Sequence, residues 1–372
     1  MQKKWNSLGL MSGTSGDGVD ASIVKTNGIN QYEIVKNKYY EYGTDIYKDI
    51  HNLKEKIHKI EHLTTYKKQM DNLERKITIF HAEIVKDLNI SDETIIGFHG
   101  QTIYHNFIEK ISKQLGNGNL LNQLTNKKVV FNFRKNDILN GGQGAPLTPI
   151  FHNLICLQNN IKPPVCFLNI GGISNITIVK DVLDLSKLIS KDIGPGNCLI
   201  DTWVRKKTNK KFDQDGMLAQ TGTKNEIIFE QAQELYMNRK NKRKLSFDTN
   251  DFDISFARGL NLEDGAATLT DFTASIIGEE LSLSLKNSEK NLKEILICGG
   301  GRKNKILIKK IKENLPNSIL FRNIDDYCVN GDFIESQAFA FLSVRSYLKL
   351  PISFPGTTGC KLPCIGGELV EN

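Results

Sequence analysis

The chain has 372 residues, of which 39% are hydrophobic and 24% charged, and its formal net charge is +7. That length suggests roughly two domains, each with its own packed core and a well-solvated surface. No run approaches the roughly 20 apolar residues that cross a bilayer, so no membrane partner is expected.

Three apolar segments open the chain, Ser7–Met11, Val19–Lys25 and Tyr32–Tyr42. Gly/Asp/Asn turns join them, and they read as consecutive antiparallel strands. In Thr44–Leu88 the residues Ile50, Leu53, Ile57, Ile60 and Leu63, then Leu73, Ile77, Phe80 and Ile84, recur at helical spacing. A strand over Thr94–Phe98 follows, ending in His-Gly-Gln. Three strands, a helical region and a further strand begin a ribonuclease-H-like α/β unit. The second half restarts the pattern: Val165–Ile170 turns at Gly171–Gly172 and continues as Ser174–Val179. Lys293–Cys298 is a strand running into Gly299–Gly301, and Asn304–Leu315 reads as a helix. Asp332–Leu348 reads as a long amphipathic helix of small and aromatic residues. The expected fold class is α/β and duplicated.

No long apolar run precedes the first glycine loop, so a signal peptide is not expected. Seven scattered cysteines offer no C-x-x-C and no Cys/His cluster with zinc spacing, which predicts reduced thiols in a cytoplasmic chain. The dense basic run Arg239–Lys244 has no flanking aromatic array, and a solvated loop is the simpler reading; no nucleic-acid partner is expected.

Gly9–Asp20 (GLMSGTSGDGVD) is an apolar strand breaking into a loop rich in glycine and hydroxyls. Glycines admit phosphate oxygens to backbone N–H groups, Thr14 and Ser15 add donors, and Asp17 and Asp20 can hold Mg²⁺ directly or through water. An ordinary hairpin has the same look. Leu168–Asn175 (LNIGGISN) fits a second close approach to phosphates, or a plain β-turn. Cys298–Asn304 (CGGGRKN) fits an adenosine contact, or a tight βα connection. The chain contains no Walker P-loop and no Rossmann fingerprint. Gly-Thr-Ser-Gly-Asp also fails as a nucleophile elbow, because Asp17 stands where glycine is required.

Asp192–Asn197 (DIGPGN) places a carboxylate before a stiff turn, with Asn197 set to cap the helix from Cys198. Such a carboxylate suits a general base, or capping alone. Arg134 offers a guanidinium fork to a ligand, or an i, i+3 surface pair with Asp137. His99 reads as a satisfied buried histidine, Gln101 stands at the same strand end, and Glu335 reads as facing solvent or a ligand.

In this order the segments resemble the anhydro-N-acetylmuramic acid kinase family of the actin/hexokinase/Hsp70-like superfamily. The resemblance rests on GLMSGTSGDGVDASIV (9–24), GFHGQT (97–102), FRKNDILNGGQGAPLTP (133–149), FLNIGGISNIT (167–177), DIGPGNCLID (192–201), DQDGMLAQTG (213–222), ICGGGRKN (297–304) and ESQAFAFL (335–342), with PGTTGCKLPCIGG (355–367) also familial. It implies an actin-like ATPase fold of two lobes around a nucleotide cleft. The first lobe is expected over 1–128 plus 349–372 and the second over 129–348.

The resemblance further implies ATP-dependent phosphorylation of O6 of 1,6-anhydro-N-acetylmuramic acid while water opens the bridge at C1. The product is N-acetylmuramate 6-phosphate, made in peptidoglycan recycling. Asp192 matches the catalytic carboxylate. ATP would be met by Gly13, Thr14, Ser15, Gly16, Asp17, Gly18, Val19, Asp20, Gly171, Gly172 and Gly300, and the sugar by Arg134 and Glu335. The first strand lacks the aspartate many relatives carry, which leaves Mg²⁺ to Asp17, Asp20 or phosphate alone. Gly16 replaces a larger residue, implying a looser loop, and Tyr236–Asp253 lacks the family's Pro-Pro-Lys-Ser-Thr-Gly-Arg-Glu-like stretch. Homodimerisation is an expectation of the family alone. Two alternatives remain: an actin-like kinase of another sugar, and a non-catalytic ATP-gated interaction protein.

Overall fold

The computed structural model describes residues 3–238, 247, 249–286 and 292–371. The basic run at 239–244 and part of the 236–253 stretch lie outside them. Contacts divide the chain into two units, one of 1–163, 181–189 and 333–372, the other of 164–180 and 190–332.

In the first unit the expected strands form as β1 (Trp5–Ser12), β2 (Gly18–Thr26), β3 (Tyr32–Glu41), β4 (Ile95–Asn106), β5 (Ile111–Leu115) and β6 (Val129–Phe131). β1 runs antiparallel to β2, with Leu10 opposite Ala21, and parallel to β4, with Leu8 beside Ile96. β3 extends the sheet antiparallel to β2, and β6 extends it parallel to β4. The helical stretch resolves into Thr44–Lys54, Ile60–Thr65 and Lys67–Leu88. Their apolar stripe (Ile50, Leu53, Leu73, Ile77, Ile84) meets Leu8, Leu10, Val19, Ile96 and Phe98 in one core. Full burial of each such side chain contributes about 1.5–3 kcal/mol.

The sheet's other face receives the helix Ile334–Tyr347. A Cβ on Gly9 would stand 1.8 Å from the Ser336 carbonyl oxygen, and one on Gly97 2.2 Å from that of Phe339. Helix and sheet therefore touch backbone to backbone, and only glycine admits the approach. Serine pairs seal it, Ser7 with Ser343 at 2.7 Å and Ser22 with Ser336 at 2.6 Å. Every residue from Ser336 to Ser346 is buried, so this helix is enclosed on all sides and not amphipathic as expected.

The second unit holds β7 (Val165–Ile170), β8 (Ile173–Val179), β9 (Ile189–Pro195), β10 (Glu294–Cys298) and β11 (Leu320–Asn323). Their order, β11-β10-β7-β8-β9, matches β6-β4-β1-β2-β3 strand for strand. β7 is again antiparallel to its successor and parallel to β10. The helices Leu262–Lys286 and Lys305–Glu313 supply Ile277, Leu281, Leu307 and Ile311 to its core. The duplicated ribonuclease-H-like α/β fold is present as expected. The last strand, β12 (Glu368–Val370), returns to pair antiparallel with β6.

The observed division differs from the expected boundaries. Residues 129–163, 181–189 and 333–348 join the first unit, where β6 belongs to its sheet and the helix Ile334–Tyr347 packs on β1. Among the described residues, no helix is long and apolar enough to cross a membrane.

Candidate active site

The turn between β1 and β2 carries Gly13, Thr14, Ser15, Gly16 and Asp17. Thr14 and Ser15 are exposed and Gly13 is half-buried, so backbone and hydroxyls face outward. Gly16 closes the turn, its amide donating to the Gly13 carbonyl at 3.2 Å. Its φ is +63°, and a Cβ there would stand 2.8 Å from Ile50 Cγ2. Glycine takes this left-handed conformation, and fits beside Ile50, without the strain a side chain would bring.

Gln101 is wholly buried beneath the turn. It donates to the Gly13 carbonyl at 3.0 Å and accepts from Ser12 Oγ at 2.6 Å, while Tyr42 donates to Ser12 at 3.1 Å. Lys54 donates to the Thr14 carbonyl at 2.6 Å. Gln101 lies inside β4, which runs on to Asn106, and not at a strand end as expected; it is a prop for the loop, a role its position in sequence did not disclose.

Ser15 Oγ donates to Asp17 Oδ1. Burial, then the charges of Asp17, Glu41 and Asp20, push the Tyr39 phenol far above its ordinary range. Asp17 and Asp20 therefore share one anionic neighbourhood beside Tyr39. Hard carboxylate oxygens of this kind suit Mg²⁺. Val19 and Gly18 are buried, and the Val19 side chain belongs to the core, which leaves only backbone to meet a ligand.

Arg134 and Glu335 also lie in the first unit. Arg134 Nη2 meets His99 Nε2 at 3.1 Å, and His99 is buried as expected. The His99 ring lies tilted against Phe339 with centroids 4.6 Å apart, and Phe133 meets Phe339 edge-on at 5.1 Å. Glu335, half-buried, stands one helical turn before Phe339 and on the same side. Both residues expected near the sugar thus lie in the first unit, Arg134 beside His99 and Glu335 on the helix that carries Phe339.

Asp137 is not the surface partner of Arg134. It is 1% exposed and accepts from Gly144 N at 2.7 Å, Ser353 Oγ at 2.5 Å and Thr358 Oγ1 at 2.6 Å. Sequence spacing missed this role, because two of its partners lie more than 200 residues away.

In the second unit Asp192 sits within β9, 8% exposed. Phe247 N donates to its Oδ2 at 2.7 Å, and the Phe247 ring packs on Phe252 at 5.5 Å. After Asp192 the chain passes Gly194, at φ +153°, where a Cβ would lie 2.6 Å from Ile276 Cγ2. The following amides close onto the other glycine turn. Asn197 N donates to the Gly171 carbonyl at 2.8 Å, and Gly196 N and Cys198 N donate to that of Gly172 at 2.9 and 3.1 Å. The Gly171–Gly172 turn and the Asp192 strand are therefore latched together. Asn197 occupies the N-cap, yet its side chain makes no cap bond, and its backbone is spent on the latch.

The third glycine loop is braced from the side. Arg302 pairs with Asp325 at 2.8 Å and with Asp332, and Lys303 with Asp332 at 2.7 Å. Gly301 is buried, whereas Gly300 is exposed with nothing within 4 Å of a Cβ placed on it.

The family model described as anhydro-N-acetylmuramic acid kinase matches residues 6–372. An anhydro-N-acetylmuramic acid kinase of Pelagibacter ubique is 54% identical, with all of both chains covered. That of Zymomonas mobilis is 36% identical over 97% of this chain and 98% of its own. Among solved structures, the activator of the 2-hydroxyisocaproyl-CoA dehydratase from Clostridium difficile with bound ADPNP aligns with a TM-score of 0.42 and 11% identity. That alignment covers 92% of this chain and 96% of the other. The family match spans both units and every loop described above, and the chain belongs to the ATP-using anhydro-N-acetylmuramic acid kinase family.

Proposed function

We propose that the protein opens 1,6-anhydro-N-acetylmuramic acid with water and phosphorylates O6, giving N-acetylmuramate 6-phosphate in peptidoglycan recycling in the cytoplasm. The observation that carries this reading is the latch between the Asp192 strand and the Gly171–Gly172 turn. It sets a carboxylate and a candidate phosphate loop in one rigid block.

Asp192 acts as general base. It takes a proton from water as the water oxygen bonds to C1, the bond from C1 to the bridging oxygen breaks, and that oxygen becomes the nucleophile toward the γ-phosphorus. The Phe247 amide fixes the carboxylate's orientation. Transfer then needs mainly positioning and charge neutralisation. Residues 13–20 and Gly171–Gly172 meet the phosphates through backbone N–H groups and the hydroxyls of Thr14 and Ser15, and Gly300 meets the adenosine. Asp17 and Asp20 would hold Mg²⁺, which offsets phosphate charge when bound. Arg134 and Glu335 bind the sugar, and the enzyme works as a homodimer.

Turnover in ¹⁸O-water tests the reaction. Mass spectrometry should find one heavy oxygen at the C1 hydroxyl and none in the phosphate. Label in the phosphate, or an unlabelled product that keeps its bridge, refutes it.

A further inference from the structure

We propose that the first unit holds a zinc site made by Cys360, Cys364 and Asp137. Their two sulfurs and a carboxylate oxygen all lie within 4.8 Å of one another, and all three residues are buried. The sequence offered no Cys/His cluster with zinc spacing, yet Cys360 and Cys364, with three residues between them, fall within the range that zinc-binding cysteines use, and the third donor arrives from a distant segment.

A tetrahedral Zn²⁺ with bonds of about 2.3 Å to sulfur and 2.0 Å to oxygen has ligand-to-ligand edges of about 3.5–3.8 Å. The observed 4.8 Å envelope exceeds those edges by about 1 Å, so binding requires the donors to draw together and Cys364 Sγ to give up its hydrogen bond to the Leu362 carbonyl. The donors also sit on backbone that is already fixed. Asp137 belongs to the helix Lys135–Leu139. Cys364 is bridged to Ser353, its amide donating to the Ser353 carbonyl at 3.0 Å and its carbonyl accepting from Ile352 N at 2.8 Å. Beside Cys360, Lys361 N donates to the Asn140 carbonyl at 3.3 Å. A site on tied segments loses little freedom when it binds.

The carboxylate has capacity to spare. An ionised carboxylate offers about four lone-pair positions, and Gly144, Ser353 and Thr358 take three. A disulfide between the two thiols would use the sulfurs alone and give the converging carboxylate no part. Three donors of mixed softness favour a borderline divalent cation, with its fourth position open to water. The ion would fasten the segment after Ser353 to the helix that begins next to Arg134.

Cobalt(II) alone, added to the reduced, metal-free full-length chain, tests the site through its absorption. The wild type should give thiolate-to-cobalt charge-transfer bands and tetrahedral d–d bands at one equivalent. Cys360→Ser and Cys364→Ser should weaken Zn²⁺ in chelator competition by at least about tenfold, the least expected even for a partner outside the ligand set. Cys328→Ser, at an exposed cysteine, should change nothing. Absence of thiolate bands in the wild type, full bands in Cys360→Ser, or a disulfide forming in air with no metal bound overturns the proposal. Where a variant loses its circular-dichroism spectrum, the wild type decides. Zn²⁺ should slow iodoacetamide labelling of Cys360 and Cys364, mapped by peptide mass, and leave Cys328 unaffected; equal rates with and without zinc overturn the site.

Discussion

Arg134 donates a guanidinium hydrogen bond to Nε2 of His99 at 3.1 Å, while His99 Nδ1 meets the Gly100 carbonyl at 2.7 Å. Only a neutral imidazole carrying its proton on Nδ1 satisfies both contacts. Burial, then the charge of Arg134, push His99 down to about 3, in keeping with that tautomer. Arg134→Lys removes the planar fork and should raise the KM for the anhydro sugar about tenfold, with the KM for ATP unchanged. Initial rates with each substrate varied in turn check this, and an unaltered sugar KM removes Arg134 from substrate binding.

His99 has companions. Burial pushes His81 to about 4 and His105 and His152 to about 3, with Arg134 adding to the effect at His105. Between pH 6.5 and these values the unfolded chain binds protons that the folded chain refuses, so stability falls as pH falls. Each such histidine should cost about 2 kcal/mol between roughly pH 7.5 and pH 5. Urea unfolding at the two pH values measures the loss, and His152→Gln should remove about one histidine's share of it. A stability that does not change over this range contradicts the burial of the four imidazoles.

Asp192→Asn keeps the side chain's shape and its acceptor oxygen for the Phe247 amide but cannot accept a proton. Turnover should fall by at least about a hundredfold, with ATP binding retained. Stopped assays for phosphosugar and calorimetric titration of the nucleotide separate the two effects. Near-normal turnover would exclude Asp192 as the base.

Gly16→Ala forces a Cβ into the left-handed region and against Ile50. A loss of about 1–2 kcal/mol is expected from the backbone alone, together with a higher KM for ATP. Chemical denaturation and nucleotide-dependent kinetics check both. A variant as stable as the parent would show that the turn is not held in the described form.

Much of this was legible in the sequence because local pattern and final environment agreed. β1, β2, β3, β7 and β8 are apolar runs separated by Gly/Asp/Asn turns, and Asn304 caps the helix Lys305–Glu313 by accepting from Leu307 N at 3.0 Å. The helix Leu262–Lys286 escaped notice for the opposite reason. It is buried on most sides, with Thr268, Thr270 and Thr273 inside, so no polar face marks its period. Asp192 reads as a turn residue because Gly-Pro-Gly follows it, yet pairing carries β9 through Pro195. The role of Asp137 and the prop under Gly13 depend on partners remote in sequence, which spacing does not reveal.

The three hydrogen bonds from the amides of residues 196–198 to the Gly171 and Gly172 carbonyls have a kinetic consequence for the proposed reaction. If the glycine pair meets the triphosphate as proposed, any shift of the pair would be carried through these bonds to the segment that follows Asp192. In the proposed reaction this linkage would tie activation of water to occupancy of the donor phosphate and so discourage hydration without transfer.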